Sequence, residues 1–134
     1  MTKKEEQRKI KQLKKKLWKE LSIYVRQRAK GICFTCGIKK HWKEMQAGHC
    51  MPKPTCNDLL NFHPINIQCQ CYRCNINLGG NGAVFAQKII DKYGYSTFLK
   101  LLADNEYKIN HGIKDLEYLL NQYQELNKRG AYDY

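Results

Sequence analysis

The chain has 134 residues, with 24 Lys or Arg against 12 Asp or Glu and a formal charge of +12. That length suits one compact domain burying roughly two thirds of the surface its unfolded chain exposes, and it excludes a second independent core. The charge points to a polyanionic partner, nucleic acid before a membrane surface, because solubility alone does not need so large an imbalance.

The N-terminal segment "MTKKEEQRKIKQLKKKLWKE" has no apolar core of a secretion signal, and no run is long enough to span a bilayer, so the chain reads as soluble and cytoplasmic, with no membrane partner. Residues 1–30 hold twelve Lys or Arg and three acids, most of the basic excess. Ile10, Leu13, Leu17, Leu21 and Tyr24 or Val25 recur at helical spacing, which predicts a helix over 5–29 ending near Gly31, with weakly held first turns. Its lysine-rich face, including Lys14, Lys15 and Lys16, suits phosphate contact as well as plain solvation.

From Gly31 to Asn81 the pattern breaks into short apolar pieces punctuated by Gly, Pro, Asn and cysteines. "KEMQAGHC" and "INIQCQC" each predict a brief strand, and "MPKPTCNDLLNFHP" between them predicts a loop marked by Pro52, Pro54 and Pro64. Beyond Asn81 the helical period returns. Val84, Phe85, Ile89 and Tyr93 predict one helix closed by Gly94; Ser96 is the expected cap of a second through Phe98, Leu101 and Leu102; Ile113 to Leu126 mark a third.

Seven cysteines, an odd number, in a chain read as intracellular point to metal ligation and not to a disulfide framework. Cys33 and Cys36 form "CFTC", and Cys71 and Cys74 form "CYRC", two C-x2-C knuckles of the kind that hold a tetrahedral zinc ion. The intervening segment is too irregular to order by burial alone, so the metal would close it. Cys69 competes with Cys71 for the second knuckle, but two intervening residues match the first pair, which leaves Cys50, Cys56 and Cys69 as free or buried thiols. A redox dithiol would need a βαβ setting that the sequence lacks.

The segments "CFTCG", "QAGHC", "NFHPINIQCQCYRCN", "GGN" and "VFAQKIIDKYG", spread over about residues 15 to 100, resemble the NinG (Rap) recombination proteins of lambdoid phages. Through their His–Asn–Asn order they also resemble zinc-stapled HNH or ββα-metal nucleases. The resemblance implies an α+β fold: a basic N-terminal helix (1–30), an HNH-like module stapled by four cysteines (31–94) and a C-terminal helical extension (95–134) in one compact domain. It implies a structure-specific DNA endonuclease acting on branched recombination intermediates such as Holliday junctions, D-loops or flaps, with structural zinc and a catalytic Mg²⁺ or Mn²⁺.

In that reading His49 activates water, Asn75 opens a helix and binds the catalytic cation, and Asn66 holds the loop or orients the base. Many such nucleases carry a metal-binding Asp directly before the His; here that position is Gly48. The second protein ligand is left open among His49, His63, Asp58 and Asn77. Arg73 joins Lys14, Lys15 and Lys16 as a phosphate contact, and Trp18, Tyr24, Trp42 and Tyr72 either stack on bases or fill a core.

Several of these residues also have plain structural readings. His63 suits packing, His41 and His111 read as surface residues, and Asn77, Gly79, Gly80 and Asn81 suit loop punctuation. A homodimer fits the two symmetric cut sites of a four-way junction, although no segment reads as a dimer motif. The rival function, favoured by Gly48, is a non-catalytic zinc-binding adaptor that joins DNA to recombination or replication proteins.

Overall fold

A computed structural model describes residues 1–130; the last four positions of the expected C-terminal extension lie outside the described residues. Helix α1 spans Lys3–Arg28. Thr2 accepts a hydrogen bond from the Glu5 amide, and Glu5 and Glu6 offset the positive end of the helix dipole, so the first turn is capped where weak first turns were expected. The helix stops where Gly31, at φ +74°, turns the chain against the Lys40 carbonyl too closely for any Cβ.

The apolar stripe of α1 is buried as its spacing predicts. Leu13, Leu17, Leu21, Tyr24 and Val25 pack with Leu116, Leu120 and Tyr123 of α5 (Ile113–Arg129). The two helices run antiparallel: the Tyr24 and Tyr123 rings meet edge-on at 5.2 Å, and one turn back Asn127 Nδ2 donates to the Glu20 carbonyl at 2.9 Å. Phe62 and Ile67 complete this cluster and fasten the helix pair to the sheet.

That sheet has two antiparallel strands, β1 (Gln46–His49) and β2 (Ile67–Gln70), with Gln46 opposite Gln70, Ala47 opposite Cys69, Gly48 opposite Gln68 and His49 opposite Ile67. Strand alternation sets Gln46, Gly48, Gln68 and Gln70 on one face and Ala47, His49, Ile67 and Cys69 on the other. So short a hairpin is marginal alone in water. Here every residue of β2 is buried, and Arg28 donates to the carbonyls of Pro64 and Ile67 and to Gln68 Oε1, binding the end of α1 to the start of β2.

The segment between the strands is not wholly loop. Asp58–Asn61 form a single-turn helix α2, too short to print a helical period in the sequence; Asn57 caps it by accepting from the Leu60 amide at 3.0 Å. Leu60 and Met51 pack on Phe85 and Ile89 of α3 (Gly82–Tyr93) and Leu101 of α4 (Tyr95–Asp104), a second apolar cluster. Gly94, at φ +97°, ends α3 and directly precedes α4. Ser96 therefore lies inside α4 and does not cap it, a correction to the sequence reading: the glycine lets the chain turn before Ser96 is reached.

No described helix is long and apolar enough to cross a membrane. The fold is α+β, with helices flanking a small sheet and a four-cysteine cluster beside it.

Candidate functional site

Two knuckles build the cysteine cluster. Cys33 precedes a turn in which the Cys36 amide points at Cys33 Sγ (3.5 Å), and the Cys74 amide points likewise at Cys71 Sγ (3.4 Å). The Ile32–Lys39 bridge and the Cys33 amide on the Ile38 carbonyl close the first knuckle. All four sulfurs lie within 4.8 Å of one another, with Cys36 and Cys71 3.7 Å apart. A tetrahedron with Zn–S bonds of about 2.3 Å separates its sulfurs by about 3.8 Å, so the donor set fits zinc.

Thiol electrostatics agree with a metal-ready cluster. Burial raises the Cys33 pKa, but hydrogen bonds from the Thr35 hydroxyl and from backbone amides outweigh it and bring it down to about 6. At Cys36 a backbone hydrogen bond from Ile38 lowers the pKa, yet burial and the neighbouring thiols of Cys33, Cys71 and Cys74 push it up to about 12, a crowding that a dication would relieve. Cys69 is fully buried beside the cluster but outside it, held on β2 opposite Ala47; Cys50 and Cys56 pack against the Phe85 cluster.

After Cys74 the chain departs from the expected helix. Asn75 lies inside a π-helical turn, Arg73–Asn77, whose wide loop is closed by the Leu78 amide on the Arg73 carbonyl at 2.8 Å. The knuckle diverts the Cys74 amide to sulfur, and the left-handed run Gly79, Gly80, Asn81 postpones the regular helix to Gly82. Asn75 Nδ2 donates to Gln46 Oε1 at 2.7 Å, and Asn75 Oδ1 lies over Gly48, 2.8 Å from where a Cβ would stand.

His49 ends β1 on the opposite face. Its ring stacks on Trp18 of α1, centroids 5.0 Å apart and planes 10° from parallel, and its Nε2 lies 3.0 Å from the Asn61 carbonyl. A carbonyl only accepts, so Nε2 carries the proton and Nδ1 holds the lone pair of the neutral ring. Burial lowers the His49 pKa, the hydrogen bonds with Asn61 partly oppose it, and nearby Lys53 lowers it further, which favours the neutral form. Trp18 and Asn61, the two partners of this histidine, also line a groove of about 630 Å³ with Lys11, Lys14, Lys15 and Lys53.

Asn66 is fully buried and clamps the loop: its Oδ1 accepts from the Met51 amide at 2.9 Å while its Nδ2 donates to the Leu60 and Met51 carbonyls at 2.9 and 3.3 Å. The group that hydrogen-bonds His49 is the Asn61 carbonyl, which no sequence signal marked. Nor did any signal mark Gln46 and Gln70, polar residues in a strand read only for its apolar alternation.

The basic run divides. Lys15 and Lys16 are exposed, as is Arg73, but Lys14 is half-buried and pairs with Asp58 at 3.2 Å, so it does not stand free on a phosphate-facing surface; a carboxylate 44 residues away in sequence captures it. Asp58 also accepts from the His111 amide at 2.7 Å, which commits it to the fold and leaves it a poor candidate for the open ligand position. His111 is half-buried beside Phe62, not a surface residue, because that same hydrogen bond draws its backbone inward. His41 is exposed, and half-buried His63 accepts from the Ile65 amide through Nδ1. Asn77 is exposed; Tyr24 belongs to the core, and Trp42 lies under Arg26.

The fold and site thus define a small basic α+β protein organised by a four-cysteine, zinc-type cluster. Its family model is that of the bacteriophage lambda NinG protein, which matches residues 1–131, and the chain belongs to that family. No curated protein and no solved structure matches it.

Proposed function

We propose that the protein is a phage recombination nuclease that hydrolyses DNA phosphodiesters at branched intermediates, using a divalent cation, Mg²⁺ or Mn²⁺, beside a structural zinc held by Cys33, Cys36, Cys71 and Cys74. The observation that carries this reading is the placement of Asn75 Oδ1 over Gly48, one residue from a neutral His49. Asn75 thus brings an oxygen to the β1 position directly before His49, where many HNH-type nucleases carry a metal-binding Asp. Membership of the NinG family and the basic groove bordering Trp18 support it further.

In this mechanism His49 takes a proton from water through Nδ1 while Asn61 holds Nε2–H and Trp18 fixes the ring plane. The cation would supply stabilisation of the developing phosphorane charge and of the leaving oxygen. Asn75 would give it a neutral oxygen ligand, suited to a hard ion that keeps several waters. Lys15, Lys16 and Arg73 neutralise phosphates and position the duplex without reading sequence. Asn66 acts on the loop that carries Asn61 and does not touch the reacting atoms.

The test is cleavage of a labelled four-way junction, a flap and a linear duplex with Mg²⁺, Mn²⁺ or EDTA, beside His49→Ala. Metal-dependent cutting of branched DNA, lost in the variant while binding persists, is the expected result. The missing carboxylate at Gly48 favours one alternative, a zinc-binding adaptor; binding of branched DNA without cutting under every condition would select it.

A further inference from the structure

We infer that Gln70 of β2 supplies the second protein oxygen ligand of the divalent cation, in the place that Gly48 of β1 leaves without a side chain. This rests on the nuclease reading and deepens it by naming a ligand. Gln70 is fully buried and directly opposite Gln46, which makes it the diagonal neighbour of Gly48 on the same face of the sheet.

Its amide orientation is fixed by its donors. Nε2 donates to Thr35 Oγ1 at 3.1 Å and to the Gly80 carbonyl at 2.9 Å, and exchanging nitrogen for oxygen would set two acceptors against each other at Gly80 and draw the Thr35 hydroxyl proton away from Cys33. What remains, Oε1, is buried and has no hydrogen-bond partner. An unpaired buried carbonyl is costly, on the order of 1–3 kcal/mol, and a protein tolerates it where something else satisfies it.

The direction of that oxygen identifies the missing partner. A Cβ built on Gly48 would fall on Gln70 Oε1 and stand 2.8 Å from Asn75 Oδ1, so two amide oxygens converge on the space where a β1 side chain would begin. Asn75 is held in that pose because its own Nδ2 is spent on Gln46 Oε1. Two oxygens facing one point, each with its nitrogen bonded elsewhere, cannot satisfy one another, since both only accept. A hard cation satisfies both at once, with water completing its shell. Glycine at position 48 is then a requirement and not a loss: any side chain there would displace the Gln70 oxygen.

The test is Mn²⁺ binding to the zinc-loaded full chain, followed by paramagnetic resonance and titration calorimetry, with zinc content and thermal midpoint as checks on folding. Gln70→Glu adds charge at nearly the same reach and is expected to tighten Mn²⁺ at least tenfold; Gln70→Met, of similar length without the oxygen, is expected to weaken it at least tenfold. Asn75→Ala should weaken it comparably. If Gln70→Met does not keep its zinc, Gln70→Asn, which withdraws the amide oxygen by one methylene, takes its place and is expected to weaken Mn²⁺ at least tenfold. Unchanged Mn²⁺ affinity in the folded variants, with His49-dependent cleavage intact, would overturn the role of Gln70 and leave the nuclease reading standing. A wild-type chain that neither binds Mn²⁺ nor cuts branched DNA would overturn both.

Discussion

Asn66→Ala is expected to act on stability first and on catalysis only through it. The side chain is fully buried and makes three hydrogen bonds: one accepted from the Met51 amide and two donated, to the Leu60 and Met51 carbonyls. Truncation takes from the buried Met51 amide its Asn66 acceptor, at about 1–3 kcal/mol. The Leu60 carbonyl keeps the His63 amide at 3.3 Å, so the two lost donor bonds weigh less, about 1 kcal/mol each. The expected cost is therefore about 3–5 kcal/mol, a hundredfold or greater fall in the folded to unfolded ratio. Urea denaturation of the zinc-loaded protein measures it, and hydrogen exchange at Met51 localises it. Because the loop also carries Asn61, the carbonyl partner of His49, cleavage should fall with loop order. A variant within 0.5 kcal/mol of wild type that has nevertheless lost cleavage would refute this reasoning and return Asn66 to a direct catalytic role.

The other expectations concern the cluster, the captured lysine and pH. Cys71→Ser should lower bound zinc below one ion per chain and loosen the segments around both knuckles; full zinc content with an unchanged thermal midpoint would count against a structural metal. Asp58→Ala should cost about 2–3 kcal/mol and Lys14→Ala about 1, because the carboxylate holds both the lysine and the His111 amide; a double-mutant cycle in urea with no coupling would refute the pairing. Burial holds the His63 pKa below its ordinary 6.5, with Asp104 opposing and Lys100 adding to the shift. The unfolded chain therefore takes up this proton first, so stability is full above 6.5 and declines as pH falls below it; His63→Gln should flatten that decline in denaturation at neutral pH and at about pH 5.5.

Local pattern was enough for much of the fold. The stripes Leu13–Leu17–Leu21 and Leu116–Leu120–Tyr123 predicted their helices because a helical period is written in neighbouring residues, and those stripes do form the main core. The equal spacing of "CFTC" and "CYRC" selected Cys71 over Cys69, and the clustered sulfurs include Cys71 and leave Cys69 aside. Where turn geometry outweighed propensity the reading failed: Gly94 starts α4 ahead of Ser96, and the knuckle widens the turn at Asn75.

What the sequence determined by itself was therefore composition, helical periods, cysteine spacing and the family-type order of His49, Asn66 and Asn75. The partners of those side chains were decided only by tertiary structure. Asn61 reaches His49, Asp58 takes Lys14, Trp18 stacks on the imidazole and Gln70 fills the space above Gly48. Each of these contacts joins segments distant in the chain, and none leaves a local period. They follow from one strand register and one helix crossing, which the burial of Ile67 and Phe62 against α1 fixes for the chain as a whole.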